Sequence, residues 1–151
     1  MKTKSRSLLY FLVLVLFPAF VNAQSLEVHK LLGQNTSAVI KQYGNPVHKD
    51  ASNPDMICMF YQNKTMSMIF VSGKQGVYQA EATKIFNSET DAKSNIDSFV
   101  SNSITDGFVV DTISTSDFQL RKSGANVDLQ LSENKISKNF EVKVKARKTE
   151  G

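Results

Sequence analysis

The chain has 151 residues, a formal net charge of +4, a single cysteine and no tryptophan. One cysteine excludes an intramolecular disulfide, so side-chain packing has to stabilise the fold. The length suits one hydrophobic core and is too short for two comfortable domains.

The first 23 residues have the pattern of a cleavable export signal. Three basic residues open the segment, Lys2, Lys4 and Arg6. The apolar stretch at residues 8–17 is too short for a stable membrane span, and residues 21–23 form a small-residue cleavage site. We therefore expect cleavage between Ala23 and Gln24, which would release a periplasmic or extracellular protein.

Removal of this segment lowers the net charge of the chain. Three of the 18 basic residues leave with it, so 15 basic residues face 14 acidic ones and the balance falls to +1. A chain this close to neutral offers nucleic acid little general attraction, and we do not expect nucleic acid as a partner. The remaining residues, 24–151, are predicted to form a single domain without a transmembrane span.

Two short helical segments are predicted first. Residues 26–32 form a short amphipathic helix that Gly33 ends. A polar residue among 35–37 can cap a second helix, because a short side-chain oxygen satisfies the free amide groups of the first turn. Gly44 ends this helix with a left-handed C-terminal cap, and Pro46 prevents its continuation.

Strands follow a polar loop at residues 49–55. Three β-rich runs are predicted at residues 56–61, 66–71 and 77–86. The first two are apolar almost throughout, which is typical of strands covered on both faces. Ser88 and Asp91 indicate the start of a further helix, and Gly107 indicates its end.

The last forty residues indicate an antiparallel meander. Four short strands are predicted at residues 108–113, 117–122, 127–131 and 136–146. In the final strand, apolar and charged residues alternate, which gives one buried and one solvent-exposed face. The whole pattern predicts an α+β fold with an antiparallel sheet of about seven strands and helices packed on one face. Its αβββ-αββββ order is what duplication of one unit would produce.

One stretch of this pattern resembles a known family. The motif comprises Leu32-Gly33, the helix and Gly-x-Pro sequence of residues 36–46, Phe60-Tyr61 and Phe70-Val71. It resembles the β-lactamase-inhibitory-protein-like fold, which the small outer-membrane-assembly lipoproteins share, over about residues 33–78. The chain has neither the lipidation cysteine nor the tryptophan of many members. The resemblance implies an envelope protein that binds other proteins, with no catalytic residue to carry over.

Cys58 is the first candidate for chemistry. With His29 or His48 it could form a thiol nucleophile and its base. Cys58 lies inside an apolar predicted strand, whereas both histidines flank the first helical region. We expect Cys58 to be a buried core residue, since burial hides a thiol and raises its pKa.

The methionines offer a soft-metal alternative. Met66 and Met68 alternate on one strand, and their thioethers with the Cys58 thiol would suit Cu(I). Methionines also fill irregular gaps in a sheet core without any metal, and we expect this role. We predict no bound metal or other cofactor.

A basic stripe near the C-terminus is the third candidate. Lys143, Lys145 and Arg147 alternate along the final strand, and Glu141 is the one acidic residue in the stretch 135–148. Such a stripe could contact an anionic partner, or it could be a solvated strand face on which lysines discourage edge pairing.

The sequence contains no phosphate-binding glycine loop, zinc-ligand spacing, Gly-x-Ser-x-Gly elbow or HExxH motif. We therefore expect an exported, non-enzymatic protein-binding or envelope-assembly module with another envelope or extracellular protein as its partner. The alternative is a periplasmic protein that binds a small ligand or Cu(I), and an enzyme is the third hypothesis.

Overall fold

The structure is a computed structural model, and it describes residues 25–150. The predicted export signal and its cleavage site lie outside these residues. The described chain forms a 3-10 helix, two α-helices and eight strands. Their bounds in chain order are the 3-10 helix Val28–Leu31, α1 Thr36–Tyr43, β1 His48–Asp50, β2 Ile57–Gln62, β3 Met66–Gly73, β4 Gly76–Phe86, α2 Glu89–Thr105, β5 Val109–Thr112, β6 Asp117–Lys122, β7 Ala125–Glu133 and β8 Phe140–Lys148.

The strands form one open antiparallel sheet with the order β1-β2-β3-β4-β8-β7-β6-β5. Strands β1 to β4 make one meander and β5 to β8 make another. The pairing of β4 with β8, from Gln79 opposite Arg147 to Phe86 opposite Phe140, joins them. The α+β class and the antiparallel sheet with its packed helices are confirmed.

Local interactions define where the two α-helices begin and where α1 ends. The Asn35 side chain accepts a hydrogen bond from the Ala38 amide at 2.9 Å, and the Ser88 side chain accepts one from the Asp91 amide at 3.1 Å. Both bonds satisfy amide groups that a first turn leaves free. Gly44 ends α1 with a φ of 80°, and its amide donates to the Ile40 carbonyl. Neither α-helix has the length and hydrophobicity that a membrane span requires.

The hydrophobic core lies between the helices and one face of the sheet. Helix α1 packs over β3, where the rings of Tyr43 and Phe70 have centroids 5.5 Å apart. Helix α2 contributes Ile96 and Phe99, each 3% exposed. Val28 of the 3-10 helix is fully buried above the centre of the sheet, since that helix contacts β4 and β8.

The strand predictions need two corrections. Residues 48–50, expected at the edge of a polar loop, form the short edge strand β1 against β2. Its three exposed polar residues carry no apolar signal. Strands β2 and β3 are covered on one face only, and alternate residues such as Ile69 and Val71 are half-buried on the other. Apolar residues on both sides of a strand therefore did not indicate a second covering layer.

A close backbone approach fixes the helical segment to the sheet. The Gly33 amide donates to the Val77 carbonyl at 2.7 Å, and the Val77 amide donates to the Gln34 carbonyl at 2.8 Å. Gly76 precedes this contact with a φ of +89°, and a β-carbon there would lie 2.6 Å from the carbonyl oxygens of Gly33 and Gln34. Only glycine fits at this point, because both the backbone angle and the space exclude a side chain.

We predict that Gly76→Ala lowers the free energy of unfolding by about 3 kcal/mol or more, because it adds overpacking to the cost of a positive φ. Gly124→Ala is the matched control. Gly124 has a φ of +82°, and a β-carbon added there would have no other atom within 4 Å. We therefore expect Gly124→Ala to lower the free energy of unfolding by only about 1 to 2 kcal/mol. Urea unfolding of both variants measures the difference, and equal losses would contradict the close approach.

Candidate functional site

The helices leave one face of the sheet open. We call this surface the open face, and its residues alternate with the core residues along each strand. No described side chain on it is fully buried. The cross-strand register places its central row in the order Phe60, Ile69, Glu81, Lys145, Asp128 and Gln119. The surface therefore changes from apolar to charged across the sheet.

All three residues of the predicted basic stripe lie on the open face, and each faces a carboxylate. Lys143 is 3.5 Å from Glu141 and Lys145 is 3.6 Å from Glu81. A third ion pair joins Arg147 to Asp128 at 3.0 Å, with a hydrogen bond between the same atoms.

Two of these carboxylates come from neighbouring strands, since Glu81 is in β4 and Asp128 is in β7. Counting charges along the final strand could not find them. The predicted basic stripe is therefore a row of ion pairs with alternating charges and not a positive surface. Because the basic side chains are about half exposed, each ion pair contributes at most about 1 kcal/mol to stability.

One end of the open face is apolar. Cys58 lies opposite Val71, and Phe60 lies opposite Ile69. We call these four half-buried residues the apolar corner. The imidazole of His48 on β1 adds to it, with its ring centroid 5.6 Å from that of Phe60. The corner adjoins the ion pairs, because Ile69 lies opposite Glu81.

The expectation that Cys58 is a core residue is wrong. Its neighbours Met59 and Tyr61 point into the core, and strand alternation turns Cys58 to the open face at intermediate exposure. The thiol contacts the Met56 carbonyl oxygen at 4.0 Å. His29 lies in the core on the opposite side of the sheet, so the fold separates it from the Cys58 thiol.

Met66 and Met68 lie on the core face, 4% and 2% exposed. The sheet separates their thioethers from the Cys58 thiol, so the structure does not bring the three sulfur atoms together. Residues 25–150 also contain no group of three histidine, cysteine or carboxylate side chains placed to hold a metal ion.

His29 is a polar residue that sequence analysis did not place in the core. It is 5% exposed, and its ring meets Phe99 and Phe108 edge-on at centroid distances of 5.0 and 5.3 Å. Neither ring nitrogen has a hydrogen-bond partner among the described residues. In the sequence, the position of His29 between Val28 and Leu31 was the signal for its burial. The α-helical period of 3.6 residues could not be used to place it, because a 3-10 helix does not follow that period.

Burial lowers the pKa of His29 to about 4, because the imidazolium would lose its hydration among aromatic rings. Lys30 and Lys122 lower this pKa further, while Glu27 and Asp106 oppose the shift. His29 is therefore neutral at pH 7.

Comparison with known proteins gives a limited result. No protein-family model and no curated protein matches this chain. Similar solved structures include a cysteine-rich secretory protein from Staphylococcus aureus subsp. aureus Mu50, at 8% identity and a TM-score of 0.42. Another is an extracellular protein containing an SCP domain from Bacillus anthracis str. Ames, at 10% identity and a TM-score of 0.36. Each match covers 76% of this chain and 44% of the other, so this chain spans less than half the length of either protein.

The resemblance to the β-lactamase-inhibitory-protein-like family is wrong: no protein-family model matches the chain, and the two similar solved structures named above are other proteins. Its motif has a local physical explanation. Gly44 supplies the positive φ that ends α1, and Tyr61 donates a hydrogen bond to the Gly44 carbonyl at 3.1 Å. Helix capping and aromatic packing of this kind do not identify a family.

The pKa of His29 predicts a pH dependence of stability. The unfolded imidazole protonates near pH 6.5 and the folded one near pH 4, so the stability present above pH 6.5 is lost as the pH falls towards 4. The loss attributable to His29 is about 3 kcal/mol. Denaturant unfolding at pH 7, 5.5 and 4.5 measures this loss in the free energy of unfolding. The control is His29→Phe, which has no titrating group at this position. Equal pH profiles for both proteins would show that His29 is not buried in its neutral form.

Proposed function

We propose that this protein is an exported, non-enzymatic binding or envelope-assembly module that recognises another envelope or extracellular protein through its open face. The observation that carries the proposal is a whole sheet face on which no described side chain is fully buried. The helices stabilise the sheet from the other side, so the open face is free to make contacts without loss of the core.

The open face has the size of a specific interface. Strand β4 has 11 residues and strands β7 and β8 have nine each. At about 3.3 Å per residue these strands are about 30 Å long, and strands about 4.8 Å apart give a width of about 35 Å. A standard interface buries about 800 Å² on each partner, which fits within this surface.

The chemistry of the open face also suits a protein partner. Interfaces combine an apolar part that excludes water with a polar part that fixes orientation. The apolar corner supplies the first, with Phe60 and Ile69 at its centre. The ion pairs of Lys143, Lys145 and Arg147 supply the second, because exposed pairs are weak enough to rearrange around complementary charges on a partner.

We predict that exchanging the charges within two ion pairs strongly reduces partner capture. The variant combines Glu81→Lys with Lys145→Glu and Asp128→Arg with Arg147→Asp, which retains the pairs and the net charge but inverts the pattern. Its melting temperature should stay within a few degrees of the wild type, while capture from the extracellular and envelope fractions of the source organism falls about tenfold or more.

The matched control exchanges charges on the helical side of the molecule. Glu89→Lys with Lys93→Glu inverts an exposed ion pair of α2, whose atoms lie 2.8 Å apart. This variant should capture the same protein as the wild type. Undiminished capture by the open-face variant, or equal loss in both variants, would contradict the proposed contact surface. Ile69→Asp tests the apolar corner in the same assay and should also reduce capture.

Export gives a separate prediction. The basic and apolar segments that precede residues 21–23 support cleavage after Ala23, because a signal peptidase requires small residues there. Intact-mass analysis of the protein from the extracellular or envelope fraction should show the loss of 23 residues and a chain that begins at Gln24. Recovery of the full chain from the cytoplasm would contradict both the cleavage and the location.

A further inference from the structure

A cavity of about 430 Å³ lies on the helical side of the sheet, remote from the open face. It is bounded by the 3-10 helix, the C-terminal end of α2 and the turn between β6 and β7. The residues that line it include His29, Lys30, Leu32, Asp106, Phe108 and Lys122. The volume is in the range of small-molecule sites.

One of the two lysines that line the cavity has no carboxylate partner. Lys30 pairs with Glu27 at 3.0 Å and with Asp106 at 3.3 Å. The ammonium group of Lys122 instead donates to the Asp106 backbone carbonyl at 2.7 Å and lies 5.6 Å from the centre of the Phe108 ring. Within residues 25–150 no carboxylate is within ion-pair distance of Lys122, so its ammonium group can accept an anionic partner.

The floor of the cavity combines apolar packing with one unusual polar group. Leu32, Phe108 and Ala125 offer carbon surface. The His29 side chain beside them belongs to a residue that is only 5% exposed, and neither ring nitrogen finds a partner in the described chain. An apolar ring would pack between Phe99 and Phe108 without leaving polar atoms unsatisfied. Both ring nitrogens are inaccessible to solvent, so His29 borders the cavity without presenting its N–H group to a ligand.

We propose that this cavity binds a small amphipathic monocarboxylate. Its carboxylate would pair with the Lys122 ammonium group, and its aliphatic or aromatic body would lie on Phe108 and Leu32. A carboxylate is preferred over an amine or an alcohol, because the Lys122 ammonium group has no carboxylate within ion-pair distance among the described residues.

Imidazole NMR at pH 7 gives a direct test, since the chain contains two histidines and His48 lies on the open face. Titration with hexanoate should shift the His29 ring signals saturably and leave those of His48 unchanged. Hexylamine and hexanol, which match its chain length without its charge, should produce no saturable shift. Equal responses to all three probes, or parallel shifts of both histidines, would overturn the proposal.

Variants of Lys122 define the role of its charge. Lys122→Gln should weaken hexanoate binding about tenfold or more, and Lys122→Arg should retain it within about threefold. Lys41→Gln removes a positive charge from α1 and should have no effect. Unchanged binding in a folded Lys122→Gln variant would overturn the proposal. Partner capture by the open face should be intact in this variant, so failure here is distinguishable from failure of the proposed function.

Discussion

The pairing of β4 with β8 fixes both the core and the open face of this protein. It joins two meanders into one sheet through eight residue pairs in register. On the core face this register places Ala82 opposite Val144 and Ala80 opposite Ala146, all at most 2% exposed. Small side chains at the centre of the sheet let the 3-10 helix approach it closely, which is how Val28 becomes fully buried.

The same register determines the open face. Because Lys145 lies opposite Glu81 in β4 and opposite Asp128 in β7, its charge has acidic neighbours on both sides. A shift of one residue would turn charged side chains into the core and apolar ones to the surface. The core therefore fixes the charge pattern of the opposite surface, and the ion pairs need not be strong to be well ordered.

His29 is the residue that the core accommodates at a cost. Its neutral ring packs as an aromatic side chain against Phe99 and Phe108, but two polar atoms remain without partners among the described residues. His29 is also one of the residues that line the cavity, as is Lys122. The two proposed binding surfaces are therefore separate, a broad one on the open face and a small one among the helices.

The helix ends and most of the strands could be predicted from the amino-acid sequence. Asn35 and Ser88 cap their helices through bonds to residues three positions away, and Gly107 ends α2 with a φ of 89°. Such interactions involve neighbours in the chain, so composition and spacing identify them. The long strands were also predictable within a few residues, although β1 was not, because a three-residue polar edge strand has no pattern of its own.

The contacts between residues far apart in the chain could not be predicted in this way. Cys58 was expected in the core because its neighbours are apolar, but pairing of β2 with β3 turns it to the open face. The carboxylates beside Lys145 and Arg147 come from β4 and β7, and the rings around His29 come from α2 and the segment that follows it. A single sequence does not specify the register between distant strands or the docking of a helix on them, because both depend on contacts between residues far apart in the chain.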